Sequence, residues 1–98
     1  MIESISVKEF KKIKNLEEAE IIDIRSNQKY NDNHIYNAKN IIYEQLLINP
    51  FKYLNKYTKY YIYCQRGMKS KSLCKYLKSI GFNVVNILGG YEAWILNE

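Results

Sequence analysis

Lys59-Tyr60-Tyr61-Ile62-Tyr63-Cys64-Gln65-Arg66-Gly67-Met68-Lys69-Ser70 is the stretch on which the reading of the fold turns. Lys59 to Tyr63 is dense in aromatic and β-branched residues and makes the clearest strand in the chain. The strand passes directly into a loop, Cys64 to Lys69, and the loop into a strong helix from Ser70 to Ile80. Leu73, Cys74, Leu77 and Ile80 fall on one face of that helix, and Gly81 follows as its C-cap. Strand, loop and helix in this order make half of a βαβ unit. The other half comes next in Val84-Val85-Asn86-Ile87-Leu88, a second apolar strand broken by Gly89-Gly90 before a closing helix, Tyr91 to Leu96.

The N-terminal half repeats the alternation. Ser4-Ile5-Ser6-Val7 reads as a short strand, and Ser6 is a fair N-cap for a helix over Val7 to Ile13, with Glu9 at the capping-box position. Ile21-Ile22-Asp23-Ile24-Arg25 is a buried strand ending at Ser26, which can cap a helical turn through Gln28 and Tyr30. His34 to Ile42 reads as a turn and a brief strand. Glu44 to Ile48 is a helix expected to stop before Pro50, and Phe51 to Lys56 a second helical piece. Strands alternating with helices predict an α/β domain with a mainly parallel sheet. At 98 residues, without repeat, linker or low-complexity segment, residues 1–98 are expected to form a single domain.

Composition excludes several classes. The chain is 47% hydrophobic and 26% charged with one Pro, which suits a globular protein and neither a collagen-like nor a Pro-rich disordered one. The net charge of +5 comes from fifteen Lys and Arg set against ten Asp and Glu. These cations are scattered, and no nucleic-acid-binding module is recognisable, so neither nucleic acid nor membrane is expected as a partner. Met1-Ile2-Glu3-Ser4 has the basic and apolar segments of no signal peptide, and no apolar run approaches a membrane span. Two cysteines, Cys64 and Cys74, are too few for a disulfide-built secreted domain of this size. A cytoplasmic location with both thiols reduced is the simplest expectation.

In a parallel sheet, functional groups gather where strands end in loops at their carboxyl edge, and Cys64 stands at such a point. Gly67 allows the backbone to curl. A loop of this kind can turn several N–H groups inward as an anion nest, and the helix N-terminus adds positive potential. Arg66, Lys69 and Lys71 add full charges. Such surroundings favour the thiolate, the nucleophilic form of cysteine. Cys74, between Leu73 and Leu77 on the apolar helix face, reads as core packing. Two thiols and a lone histidine do not make a tetrahedral zinc site, and neither metal nor cofactor is expected.

The loop Cys64-Gln65-Arg66-Gly67-Met68-Lys69-Ser70 resembles the active-site loop of the rhodanese domains, the thiosulfate sulfurtransferases. Further motifs follow in the family's order. Ile22-Asp23-Ile24-Arg25 resembles its first core strand, and His34-Ile35 with Ala38-Lys39-Asn40-Ile41 its His-Ile-Pro-Gly-Ala segment. Leu88-Gly89-Gly90-Tyr91-Glu92-Ala93-Trp94 resembles its closing signature. Tyr36-Asn37 replaces the usual Pro-Gly, which bears on the shape of that turn only. Lys69 stands where many single-domain members carry Arg, keeping the charge and losing the planar fork.

The resemblance implies a rhodanese-like sheet of about five parallel strands with helices on both faces. It also implies a mechanism. The Cys64 thiolate would take the outer sulfur of thiosulfate as a persulfide, release sulfite, and pass the sulfur to cyanide or a cellular thiol. N–H groups from Gln65 to Ser70, taking in Arg66, Gly67, Met68 and Lys69, would bind the anionic substrate and stabilise the persulfide. Arg66 and Lys69 would attract it, Asp23 and Arg25 would brace the loop, and Trp94 would be a core or cap residue.

Three other readings are weighed. A phosphatase or arsenate reductase on the same fold needs Arg six positions after the cysteine, where this chain has Ser70, and a loop one residue longer. A Cys-His hydrolase needs a base within reach, and His34 falls in a structural turn. A persulfide carrier within a sulfur relay, with little turnover on thiosulfate, needs the same Cys64 and the same cradle, and the residues leave it open beside the enzyme.

Overall fold

The computed structural model describes residues 3–13 and 19–97. Met1 and Ile2, which open the segment read above for a leader, lie outside the described residues. The elements run β1 (Glu3–Ile5), α1 (Val7–Phe10), β2 (Ala19–Asp23), α2 (Asn27–Asp32), β3 (Lys39–Asn40), α3 (Tyr43–Ile48), α4 (Pro50–Tyr53), β4 (Lys59–Tyr63), α5 (Met68–Ser79), β5 (Asn83–Ile87) and α6 (Gly90–Leu96). The strands form one sheet in the order β1-β5-β4-β2-β3, and each neighbouring pair is parallel. The fold class is therefore the expected α/β architecture.

Side chains alternate across β4, so Tyr60 and Ile62 face one side and Tyr61 and Tyr63 the other. The first side meets Leu46 of α3 and Leu73, Cys74 and Leu77 of α5 in one apolar cluster. The second meets Val7 and Phe10 of α1 and Tyr91 of α6 in another. Helices thus cover both faces, and the long apolar runs of the central strands follow from burial on two sides. Trp94 lies edge-on to Phe10 in the second cluster, with Lys11 Nζ 4.6 Å from its ring centre.

Several boundaries differ from the sequence expectation. Pro50 opens α4 instead of merely ending the helix before it. Its fixed φ and missing N–H suit the first helical position, where no intrahelical bond is required. The helix expected from Ser70 begins at Met68, because Gly67 in the left-handed region (φ +92°) already serves as its N-cap. Ser6 and Ser26 cap α1 and α2 as read, each hydroxyl accepting the N–H three residues on. In the Tyr36-Asn37 turn, Asn37 adopts φ +68° and Ala38 N–H donates to Ile35 C=O at 2.9 Å. Asparagine tolerates that conformation, so the turn closes without glycine.

Candidate active site

Cys64 follows the last residue of β4 at the carboxyl edge of the sheet, and its sulfur faces the N-terminus of α5. Gly67 N–H donates to Cys64 Sγ at 3.1 Å, and Ser70 N–H does so at 3.3 Å. Ser70 is the third residue of α5, so its N–H belongs to the first turn, where no carbonyl of the helix can accept it. The sulfur takes the place of a cap. Ser70 Oγ sits 3.3 Å from the sulfur and 2.6 Å from Asn86 Oδ1 on β5.

Cys64 is 93% shielded and packs at the edge of the α5-side core, yet it also lines an open cavity of about 540 Å³. Ile24, Ile42, Tyr43 and Met68 supply much of the cavity's apolar wall, and Arg25, Lys29, Arg66 and Lys69 its cations, against one carboxylate, Glu44. Cys64 is therefore buried against the core on one side and open on the other.

The loop is held from two directions. From β2, the Arg25 guanidinium pairs with the buried Asp23 carboxylate at 2.8 Å and donates through Nη1 to Gln65 Oε1 at 3.1 Å. The same group lies 4.2 Å from the Tyr91 ring centre and donates to Asn33 C=O. Burial pulls the ionisation of Arg25 down, but the hydrogen bond and charge of Asp23 outweigh it and leave it above the ordinary value. Tyr63 O–H donates to Asp23 Oδ2 at 2.7 Å, and burial with that bond holds the phenol well above its usual range. Asp23 and Arg25 thus touch the loop through Gln65, on the sheet face opposite α5.

From the other direction, α6 reaches over the loop. Tyr91 N–H donates to Cys64 C=O at 2.9 Å and Glu92 N–H to Gln65 C=O at 3.0 Å. Gly90 is required there. A Cβ at this position would fall on the Cys64 carbonyl oxygen and 2.9 Å from Gly67 N. With its carbonyls tied outward to α6, the loop is left with N–H groups to turn toward the sulfur.

The charges near the mouth are less free than the sequence implies. Arg66 is exposed, and its Nε pairs with Glu92 at 3.1 Å. Lys69 Nζ stands 5.5 Å from the Tyr43 ring centre, on the cavity rim. The Met68 side chain is largely exposed there. His34 stacks on Tyr30 with ring centres 3.8 Å apart and does not line the cavity. Among the described residues, no group of His, Cys, Asp and Glu has the arrangement of a metal site, and no helix is long and apolar enough to cross a membrane.

Sequence reasoning missed Asn86, Ser26, Asn27, Lys29 and the Ile42-Tyr43-Glu44 wall. Asn86 left a signal, a lone amide inside an apolar strand. The wall left none, because its place opposite Cys64 depends on where the start of α3 docks against the end of β2.

The Rhodanese-like domain family profile matches residues 6–97. YtwF of Bacillus subtilis, a protein named for an inferred sulfurtransferase activity, is 35% identical over 83 residues, covering 85% of this chain and 80% of that protein. The thiosulfate sulfurtransferase GlpE of Coxiella burnetii is 30% identical over 94 residues, covering 87% of each. The crystal structure of a rhodanese-like domain protein from Staphylococcus aureus superposes with a TM-score of 0.81 at 31% identity, covering 95% of this chain and 91% of that one.

Proposed function

Because the chain belongs to the rhodanese-like domain family, and so to the sulfurtransferase type of enzyme, we propose that Cys64 carries sulfane sulfur as a persulfide between an anionic donor and a thiol acceptor. The observation that supports this most is the sulfur's setting. It accepts N–H groups from Gly67 and Ser70, and the residue that carries it lines an open cavity. Hydrogen bonds to the charged form of a group favour that form, and the thiolate is the form that attacks.

With thiosulfate as donor, Cys64 Sγ attacks the outer sulfur. A new S–S bond forms, the bond to the sulfonate sulfur breaks, and sulfite leaves with its electron pair. The persulfide's terminal sulfur projects into the cavity, where the first N–H groups of α5 and the loop stabilise its charge. An acceptor thiolate then attacks that sulfur and Cys64 returns as thiolate. Lys69 and Arg66 draw the anion toward the mouth. Asp23 and Arg25 hold Gln65, and through it the loop, without touching the reacting atoms.

The room around Cys64 favours a second reading. A cavity of about 540 Å³ with apolar walls exceeds what an ion the size of thiosulfate fills. It suits a larger organic or protein-borne persulfide, as in a relay carrier with little thiosulfate turnover. Mass spectrometry after thiosulfate exposure is expected to find one added sulfur on Cys64, and Cys64→Ala is expected to lose transfer while keeping its fold. Retained transfer in that variant overturns the proposal. Comparing turnover on thiosulfate with turnover on a protein persulfide separates enzyme from carrier.

A further inference from the structure

Asn86 is a polar side chain in the middle of an apolar strand, between Val85 and Ile87 and opposite Ile62 of β4. It is 99% shielded, and its Nδ2 is a buried side-chain nitrogen with no hydrogen-bond partner among the described residues. Leaving a buried amide half-paired is destabilising, and such groups call for a physical reason. The other end of the amide supplies one. Oδ1 lies 2.6 Å from Ser70 Oγ, which lies 3.3 Å from Cys64 Sγ.

We propose that Asn86 is a positioning residue that acts through the Ser70 hydroxyl to aim a hydrogen bond at the ionised sulfur of Cys64. This deepens the sulfur-carrier reading and rests on it for the identity of the reacting group. A hydroxyl has one proton to give. In the neutral thiol, Cys64 S–H donates to Ser70 Oγ and Ser70 O–H donates to Asn86 Oδ1, which leaves Nδ2 idle. Once the sulfur is a thiolate it only accepts. Ser70 then turns its proton to the sulfur, and Oγ needs a donor behind it. A half-turn of the Asn86 amide brings Nδ2 to the place of Oδ1, in an outline of nearly the same shape. The nitrogen gains its partner, and the unpaired group becomes a carbonyl, the more readily tolerated of the two. No proton passes along the chain of bonds. The thiol proton leaves through the cavity, and the Ser70 hydroxyl and the Asn86 amide only reorient. Without Asn86, the Ser70 hydroxyl is free to fold back onto its own helix, as serine does.

Alkylation of Cys64 by iodoacetamide as a function of pH tests this, because Cys74 is buried and pushed up to about 12 and stays silent below that range. Asn86→Ala and Ser70→Ala are each expected to raise the alkylation midpoint by about one pH unit, the scale of one hydrogen bond to a charged group. Ser70→Thr is expected to stay near the parent. The double variant Ser70→Ala/Asn86→Ala is expected to shift no further than Ser70→Ala alone. An unmoved midpoint in Asn86→Ala, or an equal Asn86 effect with and without the Ser70 hydroxyl, overturns the proposal. Should the strand variant fail to fold, the unmutated protein decides. The NMR signals of the Asn86 side-chain amide are expected to move with Cys64 ionisation and to stop moving in Cys64→Ala, and flat signals through that titration overturn it. Neither readout uses a sulfur donor, so failure of persulfide formation and failure of this relay are distinguishable.

Discussion

Cys64 and Cys74 are the same side chain put to opposite conditions ten residues apart. Cys64 meets N–H groups and an open cavity. Cys74 meets only apolar neighbours on the inner face of α5, and burial, helped by the charge of Cys64, pushes its thiol from the ordinary 9.0 up to about 12. The folded state therefore holds the Cys74 proton more tightly than the unfolded chain does. Its contribution to stability is complete below about pH 9 and is lost as pH rises toward about 12. Cys74→Ala is expected to cost about 1 kcal/mol at neutral pH through lost packing. In urea titrations it is also expected to flatten the alkaline decline, so that the midpoint falls less between about pH 9 and about pH 11 than in the parent. An equally steep decline would assign the alkaline limb to Tyr63, whose buried phenol titrates in the same direction.

At the scale of elements, the junction of α6 with the β4–α5 loop sets the direction of the peptide groups around the sulfur. Gly90 combines φ +60° with backbone contact on Cys64 and Gln65, so any side chain there displaces the loop. Gly90→Ala is expected to lose about 2 kcal/mol or more in chemical denaturation and to slow Cys64 alkylation at neutral pH. Loss of stability with unchanged alkylation would mean that α6 holds the fold without shaping the cradle. Much of this element plan is legible in the sequence, because β4, α5 and β5 announce themselves by period and by their glycine stops. The starts of α4 and α5 are not, since Pro50 and Gly67 act as openers where their residue types also suit an ending. That the loop turns N–H groups toward Cys64 is legible from Gly67 and the strand-to-helix position. That Arg66 pairs with Glu92 and Gln65 with Arg25 is not, because these partners depend on where α6 and β2 dock.

For the molecule as a whole, a net charge of +5 meets a cavity lined by four cations and one carboxylate. Arg25 and Arg66 are paired to Asp23 and Glu92, which leaves Lys29 and Lys69 toward the mouth. An anionic donor is steered toward such a mouth, and the steering is screened by salt. The kcat/KM for thiosulfate is expected to fall severalfold between low and about 0.5 M ionic strength, while the rate with an uncharged thiol reagent stays level. A flat salt profile for both would remove the rim cations from the substrate's path. The parallel sheet also fixes an order of events. The peptide hydrogens that seize the carbonyls of Cys64 and Gln65 belong to α6, which follows every strand of the sheet in sequence. A nascent polypeptide still short of it can bury its strands but cannot arrange its amides around the sulfur. Reactivity is withheld until α6 has followed the last strand out, and cleavage between β5 and α6 would silence the thiol while sparing the sheet.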